Sequence, residues 1–110
     1  MPTFSHEGFD LAFIDEGEGD PVLLIHGFAS SVKVNWIGPG WVKTLTEAGY
    51  RVIAIDNRGH GNSSKSYDPE DYRPSRMAAD AAALLDHLGI ERAHLMGYSM
   101  GARVCAFTAL

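Results

Sequence analysis

The stretch Ala93-His94-Leu95-Met96-Gly97-Tyr98-Ser99-Met100-Gly101 decides how the rest of the chain is read. A short apolar run, 93–96, leads without a spacer into a Gly-x-Ser-x-Gly pentapeptide, and a helical pattern starts at Ala102. A strand that turns straight into a helix crowds the backbone two residues before and two after the corner. Glycine at Gly97 and Gly101 removes the Cβ atoms that would clash there. Ser99 then sits at the apex with its hydroxyl lifted clear of the strand, as in a nucleophile elbow. The following helix aims its first N–H groups at negative charge developing nearby, so Met100 N–H is a natural oxyanion donor. Serine is equally a favoured helix N-cap. The pentapeptide alone does not separate a capped glycine-rich turn from a nucleophile; the chain around it does.

Working outward, Val52-Ile53-Ala54-Ile55 and Val22-Leu23-Leu24-Ile25 are continuous apolar runs of strand length. A half-exposed strand would alternate, so these two are expected to be covered on both faces. Residues 3–7 and 9–15 read as two short strands around Gly8, close enough in sequence to pair antiparallel. Met77, Ala81, Leu84, Leu85 and Leu88 form one helical stripe, which Pro74 can start and Gly89 can end. Trp41 to Ala48 is a shorter helix stopped by Gly49, which can take the left-handed cap conformation. Residues 29–40 are rich in Ser, Asn, Gly and Pro and read as a loop. The last helix has Val104, Phe107 and Thr108 or Leu110 for its inner face. The order β-β-β-α-β-α-β-α predicts a largely parallel sheet with right-handed crossovers. Ligands of such sheets lie at the C-terminal strand ends. Here those ends are residues 26–28, 56–63 and 97–101, where the polar motifs gather.

Composition narrows the function class. The 110 residues suit one domain, 1–110, and a formal net charge of -5 argues against a nucleic-acid partner. No apolar run approaches the roughly 20 residues of a membrane span, and the N-terminus has no signal-peptide pattern, so the expected compartment is the cytoplasm. The single cysteine, Cys105, excludes an intrachain disulfide and a cysteine-based metal site, and is expected to be a small buried apolar residue. No dinucleotide, Walker or metalloprotease motif is present, so neither metal nor cofactor is implied.

Three motifs in order now carry a resemblance. His26-Gly27-Phe28 after the first buried strand, Asp56-Asn57-Arg58-Gly59-His60-Gly61-Asn62-Ser63 after the second, and Gly97 to Gly101 together resemble the α/β-hydrolase family over essentially the whole chain. The resemblance implies a partial α/β-hydrolase fold: about five strands, the first pair antiparallel, flanking helices, and no C-terminal strands. It implies Ser99 as nucleophile and the backbone N–H groups of Phe28 and Met100 as oxyanion donors. His26 and Gly27 would shape the loop beside that hole, Gly97 and Gly101 would support the elbow, and Asp56 and Arg58 would fasten their own loop. His60 is expected to be structural or on the surface. Trp36 and Trp41 are expected to pack, with an acyl pocket as the other reading. The implied substrate is a small acyl compound such as an ester, lactone, amide or C–C cleavage substrate, since family members that open epoxides or remove halogens carry aspartate at the elbow.

A serine hydroxyl is a poor nucleophile until a base takes its proton. In this family the acid and then the histidine follow the serine, yet Met100 to Leu110 contains no Asp, Glu or His. Two expectations follow. The chain is part of a serine hydrolase, an esterase-like fragment inactive alone. Alternatively, it is a non-catalytic binding or assembly module that self-associates or is complemented through an open strand edge near 93–97.

Overall fold

The computed structural model describes residues 1–109. Five strands form one mixed sheet: β1 (Thr3–His6), β2 (Phe9–Glu16), β3 (Asp20–Ile25), β4 (Tyr50–Ile55) and β5 (His94–Gly97), in the order β1-β2-β4-β3-β5. β1 pairs antiparallel with β2, and β2 antiparallel with β4. β3 lies parallel between β4 and β5, with Leu24 opposite Ala54 on one side and Met96 on the other. This is the mixed, largely parallel arrangement that the resemblance implies, with β5 at one edge of the sheet.

Three helices cover the sheet: α1 (Trp41–Glu47), α2 (Pro74–His87) and α3 (Met100–Ala109). The apolar runs are continuous because each strand serves two cores. Leu23, Ile25, Ile53 and Ile55 point to one face, where Met77, Ala81 and Leu84 of α2 and Val104 of α3 meet them. Val22, Leu24, Val52 and Ala54 point to the other, against Val32, Trp36 and Val42. Fully burying each such aliphatic side chain is worth roughly 1.5–3 kcal/mol. The weak alternation of β2 has the same cause, because Leu11 and Phe13 enter the first core and Ile14 the second.

The connection from β3 therefore leaves toward the α1 face, while those from β4 and β5 leave toward the α2 and α3 face. Connections that diverge at the C-terminal end of β3 mark the usual place for a ligand in such sheets.

Two local readings are corrected. Residues 29–40 are not wholly a loop: Lys33–Ile37 forms a π-helical turn, closed by Gly38 N–H donating to Lys33 O at 2.8 Å. Phe107 is 44% exposed, because α3 packs through Gly101, Val104, Cys105 and Thr108, a stripe that passes one residue away from it. Leu110 lies outside the described residues.

Candidate active site

Gly97, Ser99 and Gly101 form a corner with almost no spare room. A Cβ on Gly97 would overlap the Gly101 carbonyl group, and one on Gly101 would overlap the Ile25 carbonyl oxygen. The N-terminus of α3 is thereby pressed onto the end of β3, where Tyr98 N–H also donates to Ile25 O at 3.2 Å. Ser99 takes a φ of 55°, left-handed backbone that a residue with a side chain adopts at a cost of about 1–2 kcal/mol. Ser99 is exposed, and its Cβ lies 3.4 Å from where a Gly27 Cβ would stand. The corner and the 26–28 loop therefore face each other.

The 26–28 loop is tied at nearly every polar atom. His26 is fully buried; one ring nitrogen, Nδ1, donates to Gly27 O at 2.7 Å and the other, Nε2, accepts from Asn57 N–H at 3.0 Å. Its partners fix the tautomer, since a carbonyl only accepts and an amide N–H only donates. Burial lowers the His26 pKa from its ordinary value of 6.5; its bond to Gly27 and the Asp56 charge pull the other way, while His60 adds to the lowering. His26 is a neutral wedge with both nitrogens occupied. Asn57 Nδ2 donates to His26 O at 3.3 Å, Asn35 Oδ1 accepts from Gly27 N–H at 2.8 Å, and Ser30 N–H closes a turn onto Gly27 O at 3.2 Å. Among the described residues, the backbone N–H groups of Phe28 and Met100 donate to no partner. Phe28 is 77% and Tyr98 62% exposed, so apolar surface flanks the serine.

The loop after β4 braces this arrangement from one strand away. The Asp56 carboxylate accepts from Val32 N–H at 2.8 Å and Asn62 N–H at 3.0 Å. Gly61, at φ 51°, must lack a Cβ because one would strike that carboxylate. Arg58 is buried and forks onto both oxygens of Asp80 on α2, at 2.7 and 2.6 Å, with its guanidinium 4.2 Å from the Phe9 ring centroid. Burial works against the Arg58 charge, but the bonds and charges of Asp80 and Glu7 outweigh it and leave the pKa raised. Ser63 Oγ links Asp56 O to Ala12 N–H. His60 packs its ring 5.1 Å from that of His26 and 6.0 Å from that of Phe28.

Asp80 and Asn35 escape sequence reasoning, and so do the partners of the motif residues Asn57 and Ser63, because polar residues on helix and loop carry no sign of a partner far along the chain. Trp36 is buried in the second core, whereas Trp41 is 44% exposed and meets it edge-on. Cys105 is half-buried, and burial raises its thiol pKa, so it is no ready nucleophile. His6, Glu7 and Asp80 bring ligand atoms within 4.8 Å of one another, but both Asp80 oxygens already serve Arg58. No helix of the described residues is long and apolar enough to cross a membrane.

A family model described as alpha/beta hydrolase fold matches residues 20–110. Epoxide hydrolase B of Mycobacterium tuberculosis is 40% identical over 90 residues, covering 79% of this chain and 24% of that protein. A putative non-heme chloroperoxidase of Synechocystis is 40% identical over 95 residues, covering 84% of this chain and 32% of its own length. Among solved structures, Est816, described as an N-acyl homoserine lactone degrading enzyme, superposes with a TM-score of 0.80 at 29% identity. That match covers 94% of this chain and 38% of Est816. The chain thus spans about a quarter to a third of the length of the curated relatives it matches.

Proposed function

The chain belongs to the α/β hydrolase fold family, and from that premise we propose that it carries the nucleophile and oxyanion amides of a serine-dependent acyl transfer. The observation that carries this reading is the exposed, left-handed Ser99 set directly against Gly27. Ser99 Oγ attacks the carbonyl carbon of a small ester or lactone. The oxygen that gains negative charge is met by the free N–H groups of Phe28 and Met100, at the mouth of α3. The alcohol leaves with a proton, and water then hydrolyses the acyl-enzyme.

The residue type at the elbow separates this chemistry from that named for the epoxide hydrolase relatives. A carboxylate that opens an epoxide forms an ester, which water can cleave. A serine that did so would form an ether, a dead end. Ester, lactone and related acyl substrates therefore fit Ser99, and styrene oxide is expected to remain unopened.

The serine needs a base. His26 has both nitrogens engaged, and among the described residues no histidine bonds to Ser99. The triad acid and base are proposed to come from outside residues 1–110, so the chain by itself is expected to show no Ser99-dependent turnover. The test is p-nitrophenyl acetate hydrolysis by the 110-residue chain and by a hybrid in which it replaces the matched part of Est816. Turnover in the hybrid alone, abolished by Ser99→Ala, is the expected result. Hybrid turnover untouched by Ser99→Ala would sink the nucleophile assignment, and strong Ser99-dependent turnover by the chain alone would sink the need for an outside base.

A second reading rests on β5, which pairs with β3 on one side and sits at the sheet edge. An unpaired strand edge is a template for another chain, so the chain would act as a non-catalytic module that adds a strand from a second copy. Sedimentation distinguishes the readings: a stable dimer that dissociates on Leu95→Pro favours the edge, and a monomer disfavours it.

A further inference from the structure

We propose that Asn35 is a positioning residue for the oxyanion loop, holding the Phe28 N–H free by occupying its neighbour. The inference rests on the acyl-transfer reading and deepens it. The polar backbone groups just before the Phe28 N–H have partners. His26 O takes Asn57 Nδ2, Gly27 O takes both His26 Nδ1 and Ser30 N–H, and Gly27 N–H goes to Asn35 Oδ1 at 2.8 Å. Phe28 occupies the second position of the Gly27–Ser30 turn, with Ala29 behind it in left-handed backbone at φ 57°. A turn of this kind is floppy when only its closing bond holds it. Here the residue before it is clamped on both backbone groups, so the peptide linking Gly27 to Phe28 has a fixed orientation. Oxyanion stabilisation depends on donors oriented before charge develops.

Asn35 reaches Gly27 because of how its own segment is wound. It sits within the π-helical turn Lys33–Ile37, whose wider winding is closed by Gly38 N–H to Lys33 O. Single π turns recur at functional sites, where they re-aim one side chain. Trp36, the next residue, is 3% exposed and anchors the turn in the second core. Val32 N–H, on the other side, is pinned by Asp56. The turn is thus fixed at both ends, and Asn35 is the member directed at the loop.

The test pairs a direct readout of the bond with a catalytic one. Amide hydrogen exchange on the 110-residue chain should show Gly27 slow. In Asn35→Leu, an apolar side chain of similar size, Gly27 should exchange at least tenfold faster while Ile25 and Ile55 keep their rates. Asn35→Asp, which keeps an acceptor, should restore slow exchange. In the Est816 hybrid, Asn35→Leu should lower kcat for p-nitrophenyl acetate at least tenfold with KM within twofold, and Asn35→Asp should recover most of it. Unchanged Gly27 exchange in Asn35→Leu overturns the hydrogen bond. Faster exchange with unchanged kcat overturns the positioning role, leaving a merely structural one. A failure of the Ser99 assignment is told apart, because it shows as turnover insensitive to Ser99→Ala whatever the Gly27 exchange rate.

Discussion

The loop after β4 and the corner after β5 sit at the same end of one sheet, yet they treat their polar groups in opposite ways. In residues 56–63 the buried polar groups are taken up by protein partners: Asp56 by two backbone N–H groups, Arg58 by Asp80, Ser63 by β2 and the Asp56 carbonyl. In residues 97–101 Ser99 is exposed and in left-handed backbone, and the Met100 N–H is free. Both loops are polar and glycine-rich in sequence. Satisfied groups stabilise and fix a scaffold, whereas unsatisfied ones on an exposed corner remain available to a ligand. The 26–28 loop joins the two behaviours, tied at His26 and Gly27 and open at Phe28.

The sharpest way to break this contrast is to remove the partner of Arg58. Asp80→Ala leaves a buried guanidinium without its carboxylate and should cost about 3–5 kcal/mol, measured as a drop in the urea unfolding free energy. Replacing both partners by apolar residues, Arg58→Met with Asp80→Leu, should recover most of that loss. If Asp80→Ala costs less than about 1 kcal/mol, the β4 loop is not held as the geometry implies.

At the corner the decisive change is Gly101→Ala. Helix propensity alone would favour alanine by about 1 kcal/mol. The added Cβ would meet the Ile25 carbonyl, which is sheet backbone and does not move aside, so a net loss of about 1–3 kcal/mol is expected. Thermal denaturation reads the sign directly. A stabilised Gly101→Ala chain would mean that α3 does not press on β3 and that the corner is loose.

Ser99→Gly probes the same corner in the other direction. Glycine takes the φ of 55° without the cost that serine bears, so the variant should gain about 1 kcal/mol while losing the proposed nucleophile. Strain held at a functional residue and relieved by its removal is the signature of a site maintained for chemistry. A destabilised Ser99→Gly chain would instead give the serine a structural role.

How much of this was legible before the fold was known follows from the range of each signal. The strands at 22–25 and 52–55 and the α2 stripe are written in local periodicity, so their placement and the sheet class followed from sequence. The elbow was legible because its glycines answer a clash within five residues. The ties of Arg58 to Asp80 and of Asn35 to Gly27 were not, since each joins residues that only the finished sheet brings together. The π turn at Lys33–Ile37 escaped for a related reason: Trp36 anchors it through burial, and one anchored residue makes no period. Phe107 misled because an aromatic on an apolar helix reads as inward, while the packed stripe of α3 starts from a glycine.

The smallest expected effect tests the loop where the two behaviours meet. His26 is held neutral in the folded chain, chiefly by burial, with a pKa below 6.5. As pH falls through 6.5 the unfolded chain takes up a proton at this position before the folded chain does, so folding stability must decrease there with falling pH. The decrease continues until the pH reaches the lowered folded value, and above about pH 7.5 the contribution is flat. His26→Asn removes the titration while keeping a donor and an acceptor on the side chain. Urea unfolding of both chains between pH 7.5 and 5 should therefore show the wild type losing stability more steeply than the variant. The histidines that do not touch His26 are common to both chains and cancel in the difference, and a His60→Gln background removes the one that packs on it. Parallel curves would mean that the His26 ring takes its proton as readily folded as unfolded. The wedge between Gly27 and Asn57 would then be open to water, and the frame that leaves Phe28 N–H as the free donor would lose its rigid side.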